Sequence, residues 1–233
     1  MLIAARNSFM VDGELSAKSY IQDGLVSMWD GIENAGWGVH DPNATVWTDL
    51  VGNRSFDLNE KALWTHNGIT RVEGSTFKIG ALNGAASSPP TKFASELVFL
   101  DNSTAGRACC LGFDKTSGYY GWATTGVREW RAYQLYGSNP YVKLSAGEQC
   151  RLSYGFASEG NTNNYLYKNR SPITTKRNNN TSYGAGTLFG GVSDNTNYDF
   201  NGIVYCCRLY DRLLTADEIA HNYAVDKARF GLP

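Results

Sequence analysis

The chain has 233 residues and a formal net charge of −1, with 42% hydrophobic side chains, only 18% charged ones, 25 glycines and 14 tyrosines. That length suits one large β domain as well as two small ones, though nothing demands two cores, and few charges among many glycines favour short strands and tight turns over helices. The near-neutral charge excludes partners held by charge alone, so neither a nucleic-acid backbone nor an anionic membrane surface is expected to bind.

Residues 1–20 read as an N-terminal extension. Asn7, Ser8, Asp12 and Glu14 interrupt the apolar run that a secretion signal needs, and no run is long enough to span a membrane. Synthesis in the cytoplasm, without a signal peptide or membrane insertion, is therefore expected. The domain is expected over 21–233, opening on the strand pattern Asp23 to Trp29. A Gly-rich loop follows, Gly36-Trp37-Gly38-Val39, with His40-Asp41 behind it. Further strands are predicted at Phe77–Ile79, Phe93–Leu100, Ala108–Phe113, Tyr119–Thr124, Trp130–Tyr136 and Tyr165–Tyr167. The alternation of Leu152, Tyr154 and Phe156 against Arg151, Ser153 and Gly155 is that of a half-buried strand. Ile203, Tyr205, Cys207 and Leu209 alternate with Val204, Cys206, Arg208 and Tyr210 in a strand apolar on both faces, which predicts cover on each side. Thr215-Ala216-Asp217-Glu218 is a capping box and predicts a helix over 216–228, with Ile219 and Tyr223 on its packing face. Five cysteines, two pairs of them adjacent (Cys109-Cys110 and Cys206-Cys207), fit neither a disulfide framework nor a zinc motif. They are expected as reduced thiols packed like small hydrophobes.

Four strings, in order, resemble concanavalin A-like, laminin G-like domains: Gly24-Leu25-Val26 to Trp29; Trp47 to Asn53; Phe189-Gly190-Gly191 leading to Phe200-Asn201-Gly202; and Arg208-Leu209-Tyr210-Asp211-Arg212-Leu213-Leu214 running into the capping box. They span roughly residues 21 to 225, and the match is poorer in the middle, where Tyr167-Lys168-Asn169-Arg170 stands in place of the strand and Asn-Gly turn of many relatives. The resemblance implies an all-β jelly-roll sandwich of two antiparallel sheets with a short C-terminal helix. The forms Trp29 to Gly36 and Ala220 to Gly231 are similar to versions in proteins of gut bacteria and their prophages, which implies a virion or tail part released by lysis.

Glucanases of this fold carry E-x-D-x-E on one strand, because retaining hydrolysis needs two carboxyl groups about 5–5.5 Å apart. No such string occurs here, so no catalytic residue is expected, and the groupings Asp30 with Glu33, Asp194 with Asp199 and Asp217 with Glu218 read as solvated turns or caps. His40, His66 and His221 have no metal-motif spacing. Calcium has oxygen ligands available in Asp194 to Asp199, but no specific motif, and no cofactor is expected. What remains is aromatic. Sugars offer flat C–H faces to rings and hydroxyls to amides. Trp122 in Tyr119-Tyr120-Gly121-Trp122, and Trp130, Gln134 and Tyr136 on one face of the next strand, are expected on the open sheet, with Tyr133 and Leu135 in the core; Trp37 and His40 of the Gly-rich loop complete the candidate ligand-binding set. The expected function is non-catalytic carbohydrate binding or adhesion, with glycans or a surface protein as partner and the oligomeric state open. The alternatives are a structural protein–protein module of a virion or cell-surface assembly, and a glycoside hydrolase with an atypical site.

Overall fold

The computed structural model describes residues 15–58, 62–71, 80–83, 92–103, 109–115, 118–124, 128–133, 142–157, 165–174, 186–188 and 200–233. Numbered in chain order, its strands are β1 (Leu25–Asp30), β2 (Val46–Thr48), β3 (Ser55–Leu58), β4 (Ala62–Trp64), β5 (Ile69–Arg71), β6 (Gly80–Asn83), β7 (Lys92–Asp101), β8 (Cys109–Lys115), β9 (Gly118–Thr124), β10 (Glu129–Tyr133), β11 (Val142–Lys143), β12 (Glu148–Ala157), β13 (Tyr165–Lys168), β14 (Ser171–Thr174), β15 (Gly186–Leu188) and β16 (Gly202–Tyr210). A 3-10 turn (Ala17–Ser19) precedes them and helix α1 (Ala216–Phe230) follows.

One sheet runs β14-β13-β12-β7-β16-β5-β4, with β1 also paired to β16; the other runs β11-β10-β9-β8-β15-β6-β3-β2. Every pairing among the described residues is antiparallel. This is the concanavalin A-like jelly-roll sandwich that the sequence implied, closed by one C-terminal helix. The strand predicted at Phe77–Ile79 lies outside the described residues.

Two cores result. Trp29, Trp47, Phe56, Leu97, Phe99, Trp130, Leu152, Phe200, Val204 and Cys207 fill the space between the sheets. Tyr20, Met28, Ala94, Val98, Tyr205, Cys206, Tyr210, Ile219, Val225 and Phe230 form the second, between the outer face of the first sheet and the cover supplied by α1 and the 3-10 turn. Burial of both faces of β16 was therefore legible, but its strict alternation was not. Its register against β7 shifts between Val204 and Cys206, and the extra residue puts Tyr205 and Cys206 into the same outer core. The half-buried reading of β12 is corrected outright: Arg151 and Ser153 are as fully buried as Leu152. The 3-10 turn packs with the helix as part of this cover, since Ala17 and Tyr20 are buried.

Charges on that covered face require partners. Glu96 of β7 accepts from Arg151 Nη1 at 2.8 Å and from Arg208 Nε at 2.9 Å. Arg208 grips Asp226 of α1 with both terminal nitrogens, at 2.8 and 2.7 Å. Asn222, one turn earlier on α1, donates to Glu96 Oε2 at 2.8 Å and to Tyr210 Oη at 3.0 Å. Arg151 Nη2 donates to the helix carbonyl of Ile219 at 2.7 Å. Two guanidinium groups thus balance two carboxylates, and the helix completes the set. The helix starts where the capping box placed it: Thr215 Oγ1 accepts from Glu218 N, and Glu218 accepts from Thr215 N. Arg212 holds Glu218 with two hydrogen bonds, and chiefly for that reason the Glu218 carboxyl is lowered to about 2. Of the predicted packing pair, Ile219 is buried and Tyr223 half-buried.

Removing one member of a buried ion pair leaves its partner uncompensated. Asp226→Ala should therefore lower stability by about 3–5 kcal/mol in urea unfolding at neutral pH. Burial alone pushes the Glu96 carboxyl up, but Arg151 and Arg208 outweigh it and hold the group below its ordinary value. A lowered folded pKa stabilises above the unfolded value of about 4.3 and is lost as pH falls through the folded one. The urea midpoint of the wild type should hold steady to about pH 5 and fall below that.

Cys150, Cys206 and Cys207 are free and buried, and burial pushes all three thiols up. The side chains of Cys109 and Cys110 lie outside the described residues. A thiol reagent followed by peptide mapping should label none of Cys150, Cys206 and Cys207 in the native protein and all three in denaturant.

Candidate functional site

The chain passes from the first sheet to the second between Asp30, the last residue of β1, and Val46, the first of β2. This crossing holds the Gly-rich loop, and it is pinned by side chains throughout. Asp30 Oδ1 accepts from Ile32 N at 2.9 Å and Glu33 N at 3.0 Å, which turns the chain as it leaves the strand. Asn34 and Asp41 close the base of the loop: the Asn34 amide donates to Asp41 O and accepts from Asp41 N, both at 2.8 Å. Inside that ring, Val39 N donates to Gly36 O at 2.9 Å and Ala35 N to Val39 O at 3.2 Å. The turn needs φ values of 145° at Gly36 and 70° at Gly38, which side chains rarely tolerate. Glu33 ties the tip to the body, with Oε2 accepting from Gly38 N at 2.8 Å and Oε1 from Ala17 N at 2.6 Å. Arg229 of α1 in turn binds Glu33 Oε1 at 2.9 Å and pairs with Asp30.

The product is an aromatic platform. Trp37 stands at the tip with 38% of its surface exposed, beside Val39 at 51%. The indole N–H groups of Trp47 and Trp64 donate to backbone carbonyls, whereas that of Trp37 meets no protein acceptor among the described residues. The Lys18 ammonium lies over the Trp37 ring, 5.5 Å from its centroid. His40 is exposed, with Nδ1 3.2 Å from Ile32 O. An open ring on a stiff loop can stack on the flat face of a ligand without first being ordered.

The other predicted site residues fare differently. Trp130 is fully buried, its ring 4.7 Å from Phe99 and 5.7 Å from Phe200 by centroids. Its indole N–H donates to Asp101 Oδ2 at 2.5 Å. The expected face assignment of its strand is thereby reversed at this residue, because aromatic alternation does not reveal which face is the core. Trp122 lies on β9 opposite Ala132, but its side chain, with Gln134 and Tyr136 entire, falls outside the described residues. So does the Asp194 to Asp199 segment considered for calcium. Among the described residues, no three His, Cys, Asp or Glu side chains converge as a metal site would require.

Asp30 and Glu33, expected as solvated turn carboxylates, are buried and paired with Arg229. Lys18 and Arg229 were not singled out from the sequence. No local pattern marks them, since Lys18 approaches from outside the strand pattern and Arg229 from the far end of the chain.

Neither a protein-family model nor a curated protein matches the chain in sequence. Solved structures do match in shape. The Trypanosoma rangeli sialidase, in a complex with sialic acid, aligns with a TM-score of 0.60 at 17% identity over 88% of this chain. The chain spans only 33% of that sialidase. Domain 4 of AbnA, a GH43 extracellular arabinanase from Geobacillus stearothermophilus solved with arabinotriose, aligns at 0.57 and 13% identity over 86% of this chain and 98% of its own. The receptor-binding domain of botulinum neurotoxin D aligns at 0.60 and 12% identity over 87% of this chain and 52% of that one. At such identities the likeness establishes the fold.

The two tryptophans should separate in mutagenesis. Trp130→Ala should cost about 3–5 kcal/mol, because it opens a cavity and leaves Asp101 Oδ2 without its donor. Trp37→Ala should change stability by about 0.5 kcal/mol or less. Urea denaturation of the two variants beside the wild type measures the difference.

Proposed function

We propose that this chain is a non-catalytic carbohydrate-binding module whose ligand stacks on Trp37. The observation that carries the reading is an exposed indole held on a loop whose backbone is bound by three buried side chains, Asp30, Glu33 and Asn34. A soluble protein gains nothing in folding from ordering an open tryptophan in this way, whereas a sugar face matches it in size and polarity. The similar arabinanase domain was solved with arabinotriose, and the sialidase with sialic acid, which supports a glycan as the ligand class. The virion or tail setting rests on the resemblance of Trp29 to Gly36 and Ala220 to Gly231 to prophage proteins.

The non-catalytic half of the proposal rests on how carboxylates are used. Glu96, Asp226, Asp30 and Glu33 are each engaged by guanidinium groups. Asp101 is engaged by an indole, and Asp49 by the amides of Met28, Val51 and Gly52. None of these is placed as a general acid beside an open groove. A protein-contact module is the second reading. It is favoured by Leu63 and Ile173, which are 54% and 43% exposed on β4 and β14, the two ends of the first sheet.

A glycan array probed with wild type and Trp37→Ala tests the proposal. Binding to at least one glycan class should appear in the wild type and vanish in the variant, and soluble oligosaccharides of that class should be recovered uncleaved after incubation. Binding that survives Trp37→Ala moves the site, and released reducing ends reinstate the hydrolase.

A further inference from the structure

Resting on the Trp37 reading, we propose that the platform selects an anionic sugar, whose ring stacks on Trp37 while its carboxylate or sulfate group meets Lys18. The two groups come from different parts of the chain, the indole from the β1–β2 crossing and the ammonium from the 3-10 turn, and Glu33 brings them together by accepting from both Gly38 N and Ala17 N. The ammonium lies over the indole at 5.5 Å from the ring centroid, within cation–π reach, so a sugar that takes its place on the ring has the cation within the span of its own substituents. Lys18 is exposed, and among the described residues it pairs with no carboxylate. Among the described residues, the neighbouring acids Asp30 and Glu33 are already committed, buried against Arg229. The cation over the ring is therefore available to an incoming ligand.

The backbone on either side of the ring is open as well. A methyl group built on Gly36 or Gly38 would find no atom within 4 Å beyond the adjacent residues, so the turn on either side of the ring is not packed against the body of the domain. A neutral sugar would stack on the same ring but leave the ammonium unused. The preference for an anion is a charge effect in water and is correspondingly modest and salt-sensitive.

The test uses the full chain and two matched ligand pairs, oligogalacturonate against its methyl ester and a sulfated galactan oligosaccharide against its desulfated form, titrated by calorimetry at low and raised salt. The anionic member of at least one pair should bind roughly two- to fivefold tighter at low salt, and the gap should close as salt is raised. Which pair responds tells carboxylate from sulfate. Lys18→Glu should abolish or invert the preference, and Lys18→Arg should keep it. Equal binding of anionic and neutral members, both lost in Trp37→Ala, overturns the anionic preference and leaves the platform standing. Absence of any Trp37-dependent binding overturns the platform and this inference together.

Discussion

The covered face of the first sheet carries two arginines that water cannot reach, and the rest of the molecule is arranged to satisfy them. Arg151 and Arg208 lie on neighbours of β7 and share Glu96 between them, which leaves one positive charge to be met from outside the sheet. Asp226 of α1 meets it. The apolar contacts of Ile219, Val225 and Phe230 supply the attraction that docks the helix, but they would accept several rotations and offsets. A bidentate Arg208–Asp226 contact accepts one. The cluster thus contributes less to net stability than to fixing how the helix sits, since burying four charges costs nearly what their pairing returns.

The same constraint reaches the surface. Tyr20 packs its ring 4.0 Å from the Arg208 guanidinium, and its hydroxyl accepts from Arg229 at 3.3 Å. Arg229 then binds Asp30 and Glu33, and Glu33 holds both the 3-10 turn and the tip of the Trp37 loop. A continuous chain of charged and polar contacts therefore runs from the middle of the sheet to the exposed indole. The loop that presents Trp37 inherits its position from the docking of α1, although the two are nearly 200 residues apart in sequence.

Much of the sandwich was legible because strands with one face on a core announce themselves by alternation, and a capping box is a local signal with a local cause. The Trp47 to Asn53 string proved to be the end of β2 followed by a turn wound around one carboxylate oxygen, Asp49 Oδ1, which accepts from Met28, Val51 and Gly52. What failed did so where local pattern and tertiary placement part. Arg151 and Ser153 looked solvent-facing because polar residues usually are, and only the arrival of α1 makes that face an interior. The bulge in β16 is invisible to a period-2 reading, since two apolar faces look the same on either side of a slipped residue. Trp130 shows the limit most clearly. An aromatic strand face reads equally well as platform or core, and the partner that decides between them, Asp101, lies 29 residues away.

The Trp37 loop was legible for a different reason. Two glycines flanking a tryptophan read as a loop, and the φ values of 145° at Gly36 and 70° at Gly38 are ones that glycine takes without strain. Ordering glycine carries an entropic cost, and here the compensation comes from Glu33 and the Asn34–Asp41 pair. The loop is therefore ordered before any ligand arrives. On the proposed reading, that lowers the entropy lost on binding, so a single exposed ring and one neighbouring ammonium would suffice for a weak but specific contact. Useful avidity would then come from several copies acting together, as on a surface or in an assembly, and not from one tight site.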